Sequence, residues 1–141
     1  MPVADTEFLF ALNPKDGKHI HALKILEKVR RKEIDVVIPD VALLEYYLVL
    51  KSRGVSLVEI RKLLDSLNDI FSEYGLKEIR TINKGLIKEQ VSLEVKYGAG
   101  FFDSLLAASA RVYDGSIISD DKVYEKLGLR RIRMSRGAKD E

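Results

Sequence analysis

The sequence contains no cysteine, which excludes disulfide bonds, cysteine nucleophiles and thiolate metal sites. Histidine is also scarce, and only His19 and His21 could supply imidazole ligands. They stand two residues apart in a predicted helix, where they do not face one partner. A metal ion bound by this chain would therefore be held mainly by oxygen atoms, which favours Mg²⁺, Mn²⁺ or Ca²⁺ over zinc.

Long apolar runs are missing as well. No stretch approaches the roughly 18 consecutive apolar residues of a membrane span. The N-terminus lacks a basic segment followed by an apolar one, so we expect a cytoplasmic protein with no membrane partner. The net charge is only +2, which argues against a general polycation. Basic residues are nonetheless concentrated near the C-terminus, at Arg130, Arg131, Arg133, Arg136 and Lys139.

The chain does contain enough apolar material for one folded domain, since 46% of its 141 residues are hydrophobic. Short apolar segments alternate with amphipathic helical patterns, which is typical of an α/β domain with a parallel sheet. The predicted strands cover residues 2–4, 34–38, 79–82, 116–118 and 131–134. The predicted helices cover 6–12, 18–32, 41–52, 102–113 and 121–126, with two more beginning after Ser56 and Asn83.

Three of these helices have predicted roles in packing. The helix from 41 and the one after Ser56 form a helical arm over residues 41–71, rich in Leu and Tyr, which is the candidate oligomeric surface. The helix after Asn83 is expected to turn an apolar face inward, made of Leu86, Ile87, Val91 and Val95.

Acidic residues follow the predicted strands at the positions where such sheets bind ligands. Asp5 comes directly after the first strand, and Asp120 and Asp121 come after the fourth. Asp103 begins an otherwise almost apolar helix. Because ligands of open parallel sheets bind beyond the carboxyl ends of the strands, we expect these acids to converge there.

Glu45 is an acid of a different kind. It lies in mid-helix between Leu44 and Tyr46, in a setting that is apolar for a lone carboxylate. Burial of an unpaired charge costs several kcal/mol, and no Lys or Arg lies within one helical turn. A metal ion or a distant basic residue is therefore expected as its partner.

Carboxylates that share one space repel each other, and a divalent cation removes that penalty. Such a cation also lowers the pKa of a bound water and neutralises charge on a phosphate. The acids therefore indicate hydrolysis of a phosphodiester.

Four segments resemble the motifs of the PIN-domain nucleases, in particular the VapC-type toxins. The segments are V-A-D-T-E-F-L-F-A-L (3–12), I-P-D-V-A-L-L-E-Y-Y-L-V-L (38–50), G-A-G-F-F-D-S-L-L-A-A-S-A (98–110) and I-I-S-D-D-K-V-Y (117–124). The acids at 5, 45, 103 and 121 occur in the family's order, separated by 40, 58 and 18 residues. The similarity covers nearly the whole chain.

The resemblance implies a single domain over 1–141 with a five-stranded parallel sheet flanked by helices. It also implies a Mg²⁺- or Mn²⁺-dependent endoribonuclease that acts on RNA, forms a homodimer and is often held by an antitoxin. Asp5, Glu45 and Asp103 would be the core metal ligands, and Asp121 the fourth acid. Ser119 and Thr6 would orient ligands through their hydroxyls.

Two residues depart from the family pattern. Glu7 stands where a small polar residue is common, and Asp120 makes the choice of the fourth acid ambiguous. We expect both to be surface residues or to lie behind the ligands. Each proposed ligand also has a structural alternative, because Asp5, Asp103 and Asp121 could cap helices and Glu45 could pair with an arginine.

The aromatic and basic residues have two interpretations. Core packing is favoured over stacking on RNA bases for Tyr46, Tyr47, Phe101 and Phe102. Arg130, Arg131 and Arg133 could bind phosphates or simply charge a strand edge.

Three other functions stay open at this point. The chain could be an RNA-processing nuclease without an antitoxin, or a non-catalytic binding module of the same fold. A phosphatase is disfavoured because D-x-D-x-T is absent, and no P-loop sequence occurs.

Overall fold

Five short parallel strands form the sheet at the centre of the protein. The structure is a computed structural model that describes residues 1–135. The strands are β1 (Val3–Ala4), β2 (Val37–Pro39), β3 (Lys77–Ile79), β4 (Ser116–Ile118) and β5 (Arg130–Ile132). They lie in the order β3-β2-β1-β4-β5, and every pair of neighbours is parallel. The predicted five-stranded parallel α/β fold is confirmed.

Seven helices within the described residues flank this sheet. They are α1 (Thr6–Ala11), α2 (His19–Arg30), α3 (Asp40–Ser52), α4 (Leu57–Tyr74), α5 (Lys84–Tyr97), α6 (Phe101–Tyr113) and α7 (Val123–Lys126). None of the helices in residues 1–135 combines the length and apolar character needed to cross a membrane. Arg136 and Lys139, which the sequence groups with the basic residues, lie outside the described residues.

The core forms where the central strands meet the helices. All residues of β1, β2 and β4 are buried, as parallel strands covered on both faces require. Helix α6 is buried from Ser104 to Ala110, because its small Ala and Ser side chains allow close packing. That packing carries the first turn of α6, with Asp103, to the same region as β1 and α3.

Strand β3 ends earlier than the predicted 79–82, and Asp40 explains why. The Asp40 carboxylate accepts hydrogen bonds from the backbone N–H groups of Thr81 (3.1 Å) and Ile82 (3.2 Å). These donors are therefore not available to continue the sheet. The Thr81 hydroxyl also donates to Asp40 at 2.7 Å and lies 2.8 Å from the Ser109 hydroxyl of α6.

Other boundaries shift by smaller amounts. Strand β2 covers Val37–Pro39 rather than 34–38, so Pro39 is its last residue and does not merely follow it. Strand β5 covers Arg130–Ile132 rather than 131–134. Helix α7 starts at Val123 because Asp121 lies in the preceding loop and accepts the Val123 N–H.

The predicted inward face of α5 is confirmed for Leu86, which is 1% exposed, and wrong for its other three residues. Ile87, Val91 and Val95 are 48%, 49% and 82% exposed. The buried side is made of Leu86, Gln90 and Leu93, and the Gln90 amide donates to the Phe101 carbonyl at 3.1 Å. A buried glutamine therefore occupies one position on the inner side of α5, where an apolar residue would be expected. Hydrophobic periodicity alone did not identify this side.

We expect Asp40→Ala to lower the free energy of unfolding by about 2–3 kcal/mol, because it leaves the Thr81 and Ile82 N–H groups without their charged acceptor. Urea denaturation measures this. Asp35→Ala, at an exposed acid in the loop before β2, is the matched control and should change stability by less than about 0.5 kcal/mol. Equal stability of the two variants would show that Asp40 does not anchor this loop.

Candidate active site

Asp5 stands at the carboxyl end of the central strand β1 and is only 8% exposed. Its Oδ1 accepts a hydrogen bond from the Thr6 backbone N–H at 2.7 Å. Its Oδ2 accepts one from the Ser119 hydroxyl at 2.6 Å. Asp5 therefore caps α1, which was the structural alternative to a role as metal ligand. Its carboxylate is also held by Ser119, which follows the neighbouring strand β4.

Glu45 lies on α3 and is partly buried. Its Oε1 accepts a hydrogen bond from the Thr6 hydroxyl. Its hydrogen-bond partner among the described residues is thus a neutral hydroxyl, and no described Lys or Arg pairs with it. Thr6 consequently connects two acids, since its N–H binds Asp5 and its side chain binds Glu45.

Asp103 and Asp121 are the less constrained acids. Asp103 lies in the first turn of α6, and within residues 1–135 its carboxylate forms no hydrogen bond or ion pair. Asp121 is exposed in the loop between β4 and α7, where its Oδ1 accepts the Val123 N–H at 3.0 Å. Its backbone N–H donates to the Ser119 hydroxyl, which also binds Asp5.

These four side chains, which we call the acidic site, lie close enough to act on one another's pKa. Burial raises the pKa of Asp5 to about 7, and the charges of Glu7 and Glu45 add to the rise against the Ser119 and Thr6 hydrogen bonds. Burial followed by the charge of Asp103 raises the pKa of Glu45 above its ordinary value. Burial and the charge of Asp121 do the same for the pKa of Asp103.

Tyr124 is a site residue that the sequence reasoning missed. It is 1% exposed, and its hydroxyl lies 3.4 Å from Asp5 Oδ1. Burial raises its pKa, and the charges of all four members of the acidic site raise it further. Tyr124 is the last residue of the fourth motif segment (117–124), and that position was the available signal.

The donor set of the acidic site suits a hard divalent cation. All of its ligating atoms are carboxylate oxygens, the type that Mg²⁺ and Mn²⁺ prefer. No member of the acidic site forms an ion pair with another described residue, so its negative charge is uncompensated. As the side chains stand, however, no three acids or histidines in residues 1–135 form a group that could hold a metal ion. The fit therefore rests on donor chemistry and charge.

Glu7 and Asp120 lie beside the acidic site but are paired with a cation. Lys18 Nζ is 2.8 Å from Asp120 Oδ2 and 3.6 Å from Glu7 Oε2. Burial alone would raise the pKa of Asp120, but Lys18 and Ser135 hold it below its ordinary value. Of the two consecutive acids, Asp121 is thus the one that acts on Asp103.

The other candidate residues fall into two groups. Arg130 and Arg133 are exposed, whereas the Arg131 side chain is 6% exposed and its guanidinium lies 2.6 Å from Glu125 Oε2. Arg131 also donates to the Ser119 carbonyl at 3.3 Å, so it supports the loop after β4. His19 Nδ1 hydrogen bonds with the Ala11 carbonyl at 2.8 Å.

The aromatic residues also differ from one another. Tyr46 is buried and its ring centroid lies 4.8 Å from that of Phe10, as core packing predicts. Phe101 is 60% exposed, so the core interpretation is wrong for this residue. Its ring makes an edge contact with Phe102 at 5.1 Å.

We expect Asp5→Asn to stabilise the metal-free protein above pH 7. Since the folded pKa of Asp5 lies above its ordinary value, the native state keeps a proton that the unfolded state releases, and stability falls as pH rises toward 7. At pH 8 in the presence of a chelator, the melting temperature of Asp5→Asn should exceed that of wild type by about 3–9 °C. This range takes a change of about 3 °C in melting temperature for each kcal/mol of unfolding free energy.

The same variant should show a flatter melting temperature between pH 5 and pH 8, because the titrating group is gone. Asp35→Asn, an exposed acid far from this edge of the sheet, serves as the control and should follow wild type. A wild-type melting temperature that does not fall over this pH range would contradict the raised pKa of Asp5.

Comparisons with known proteins bear on the family and the fold. The PIN domain family matches residues 3–129 of the chain. No curated protein matches by sequence. Among solved structures, VapBC2 from Rickettsia felis bound to a DNA fragment from its promoter has a similar chain, with a TM-score of 0.66, 16% identity, and coverage of 93% of this chain and 96% of that one.

Two further structures share the fold. FitAcB from Neisseria gonorrhoeae gives a TM-score of 0.62 at 16% identity, covering 95% of this chain and 98% of that one. A toxin–antitoxin complex from Klebsiella pneumoniae gives 0.54 at 15% identity, covering 86% and 88%. Such low identities show the fold alone, whereas the family match extends over most of the sequence. The chain belongs to the PIN domain family.

Proposed function

We propose that this protein is a Mg²⁺- or Mn²⁺-dependent endoribonuclease and the toxin of a toxin–antitoxin pair. The observation that supports this most directly is the acidic site, whose members come from four separate parts of the chain and act on one another's pKa without a compensating cation. Membership of the PIN domain family, a family of nucleases, agrees with it.

In this proposal Asp5, Glu45, Asp103 and Asp121 hold the cation. When bound, it would supply a water of lowered pKa and a positive charge opposite the phosphate. The protein contributes by fixing its own oxygens beforehand. The Thr6 and Ser119 hydroxyls orient the Glu45 and Asp5 carboxylates, which limits the reorganisation needed on binding.

The products expected from attack of water on the phosphodiester are a 5′-phosphate and a 3′-hydroxyl. The attacking water forms the new P–O bond, and the 3′-oxygen leaves with the electron pair of the broken bond and takes up a proton. The exposed Phe101, in the same first turn of α6 as Asp103, is suited to stack on an unpaired base. Single-stranded RNA is therefore the substrate we expect.

Arg130 and Arg133 are the proposed phosphate contacts outside the acidic site, because both side chains are exposed at or next to β5. Arg131 is assigned a supporting role instead, since its guanidinium is engaged by Glu125 and the Ser119 carbonyl. The sequence analysis treated the three arginines alike, but their surroundings in the structure give Arg131 a different role.

A protein partner is part of the proposal. Structures of similar fold include a toxin–antitoxin complex and VapBC2. On the helical arm, Leu44, Leu48 and Leu64 are 41%, 42% and 39% exposed, and clustered exposed apolar side chains are typical of interaction surfaces. We place the antitoxin or a second copy of the chain there, and the homodimer remains a prediction.

One observation favours the alternative of a non-catalytic binding module. No three acids or histidines in the described part of the chain are arranged to hold a metal ion as they stand. Calorimetric titration with Mn²⁺, with and without RNA, separates the two functions. The nuclease should release or absorb heat at millimolar Mn²⁺, whereas a flat trace would support the binding module.

We expect Asp103→Asn to lower Mn²⁺-dependent cleavage of single-stranded RNA by on the order of 100-fold or more. The substitution removes one negative charge from the acidic site and leaves no described hydrogen bond unmade. Gel analysis of an end-labelled RNA measures the rate, and Asp35→Asn should cleave like wild type. Equal metal-dependent cleavage by Asp103→Asn and wild type would overturn the proposed function.

A further inference from the structure

Lys18 bridges two acids that the acidic site does not use. Its Nζ contacts Asp120 Oδ2 at 2.8 Å and Glu7 Oε2 at 3.6 Å. Its backbone N–H donates to Asp16 Oδ1 at 2.8 Å, which fixes the turn before α2. Both the backbone and the side chain of Lys18 are thus held in place.

Glu7 and Asp120 in turn hold the loop between β4 and α7. Glu7 Oε1 accepts hydrogen bonds from the Asp120 backbone N–H and, at 3.4 Å, from the Ser119 hydroxyl. The second oxygen of Asp120, Oδ1, accepts from the Ser135 N–H at 2.9 Å and from its hydroxyl at 3.1 Å. Both carboxylate oxygens of Asp120 are therefore occupied.

The neighbouring acid has a different environment. Asp121 is exposed, and its charge contributes to the raised pKa values of Asp103 and Tyr124. The two consecutive aspartates thus have different surroundings. Asp120 is bound by Lys18 and Ser135. Asp121 instead acts on other members of the acidic site.

We propose that Lys18 is a positioning residue for the acidic site. By pairing with Glu7 and Asp120 it holds the β4–α7 loop in the conformation in which Asp121, rather than Asp120, faces Asp103. This inference rests on the proposed function, because it concerns the ligand set of that same site.

The physical reason is like-charge repulsion. Without Lys18, no cation would lie between the partly buried carboxylates of Glu7 and Asp120, and their repulsion would push the two side chains apart. Departure of Glu7 breaks its bond to the Asp120 N–H, the contact that joins α1 to this loop. Ser119, which binds Asp5, lies in the same segment and would lose its fixed position.

The test uses metal-free protein and Lys18→Met. Hydrogen exchange measured by NMR should show the Asp120 amide exchanging at least about tenfold faster than in wild type, because its acceptor is no longer held. Lys18→Arg keeps the cation and should restore slow exchange. Lys24→Met, an exposed lysine of the same helix, is the matched control. Exchange within about twofold of wild type in Lys18→Met would overturn the proposal.

A second measurement connects the loop to the acidic site. Calorimetry without RNA should show Mn²⁺ binding to Lys18→Met weakened by about tenfold or more. In protein that already carries Asp121→Asn, Lys18→Met should weaken Mn²⁺ binding little further, since both changes act through residue 121. Fully additive effects would contradict the link to Asp121. Wild-type protein that binds no Mn²⁺ would instead contradict the proposed function, and the exchange experiment would still decide the role of Lys18 in holding the loop.

Discussion

Repulsion between carboxylates is the constraint on which the rest of this structure depends. Parallel strands end at one edge of the sheet, so Asp5 and the acids after β4 arrive there because of topology. Packing of α3 and α6 brings Glu45 and Asp103 to the same place. The fold tolerates this charge because the Thr6 and Ser119 hydroxyls donate to the two most constrained carboxylates. Hydroxyl donors reduce the repulsion without neutralising it, and the remaining charge is available for a ligand.

The acids around this edge are divided into two functional sets. Glu7 and Asp120 are satisfied by Lys18, and Asp120 also by Ser135, so they serve the structure of the loop. The acidic site has no such partner among the described residues, and the pKa values of Asp5, Glu45 and Asp103 are raised. Carboxylates at the same edge of the sheet thus differ in their surroundings, because Lys18 pairs with Glu7 and Asp120 and with no member of the acidic site.

Much of the fold and of the acidic site was predictable from sequence, because strand ends and helix starts are local features. Asp5, Asp103 and Asp121 follow or begin elements whose apolar patterns are clear, and Ser56 and Asn83 cap helices as predicted. Long-range polar contacts were not predictable. The bond from Asp40 to Thr81 joins residues 41 positions apart, and that from Tyr124 to Asp5 joins residues 119 apart. The periodicity of apolar residues does not indicate such pairs. It likewise missed the contact of Gln90 with the Phe101 carbonyl, so three of the four residues assigned to the inner face of α5 are exposed.

The hydrogen-bonded chain from Asp40 through Thr81 to Ser109 joins the start of α3 to the later turns of α6. These two helices also carry Glu45 and Asp103. The spacing of those two carboxylates therefore depends partly on a threonine and a serine that lie outside the acidic site.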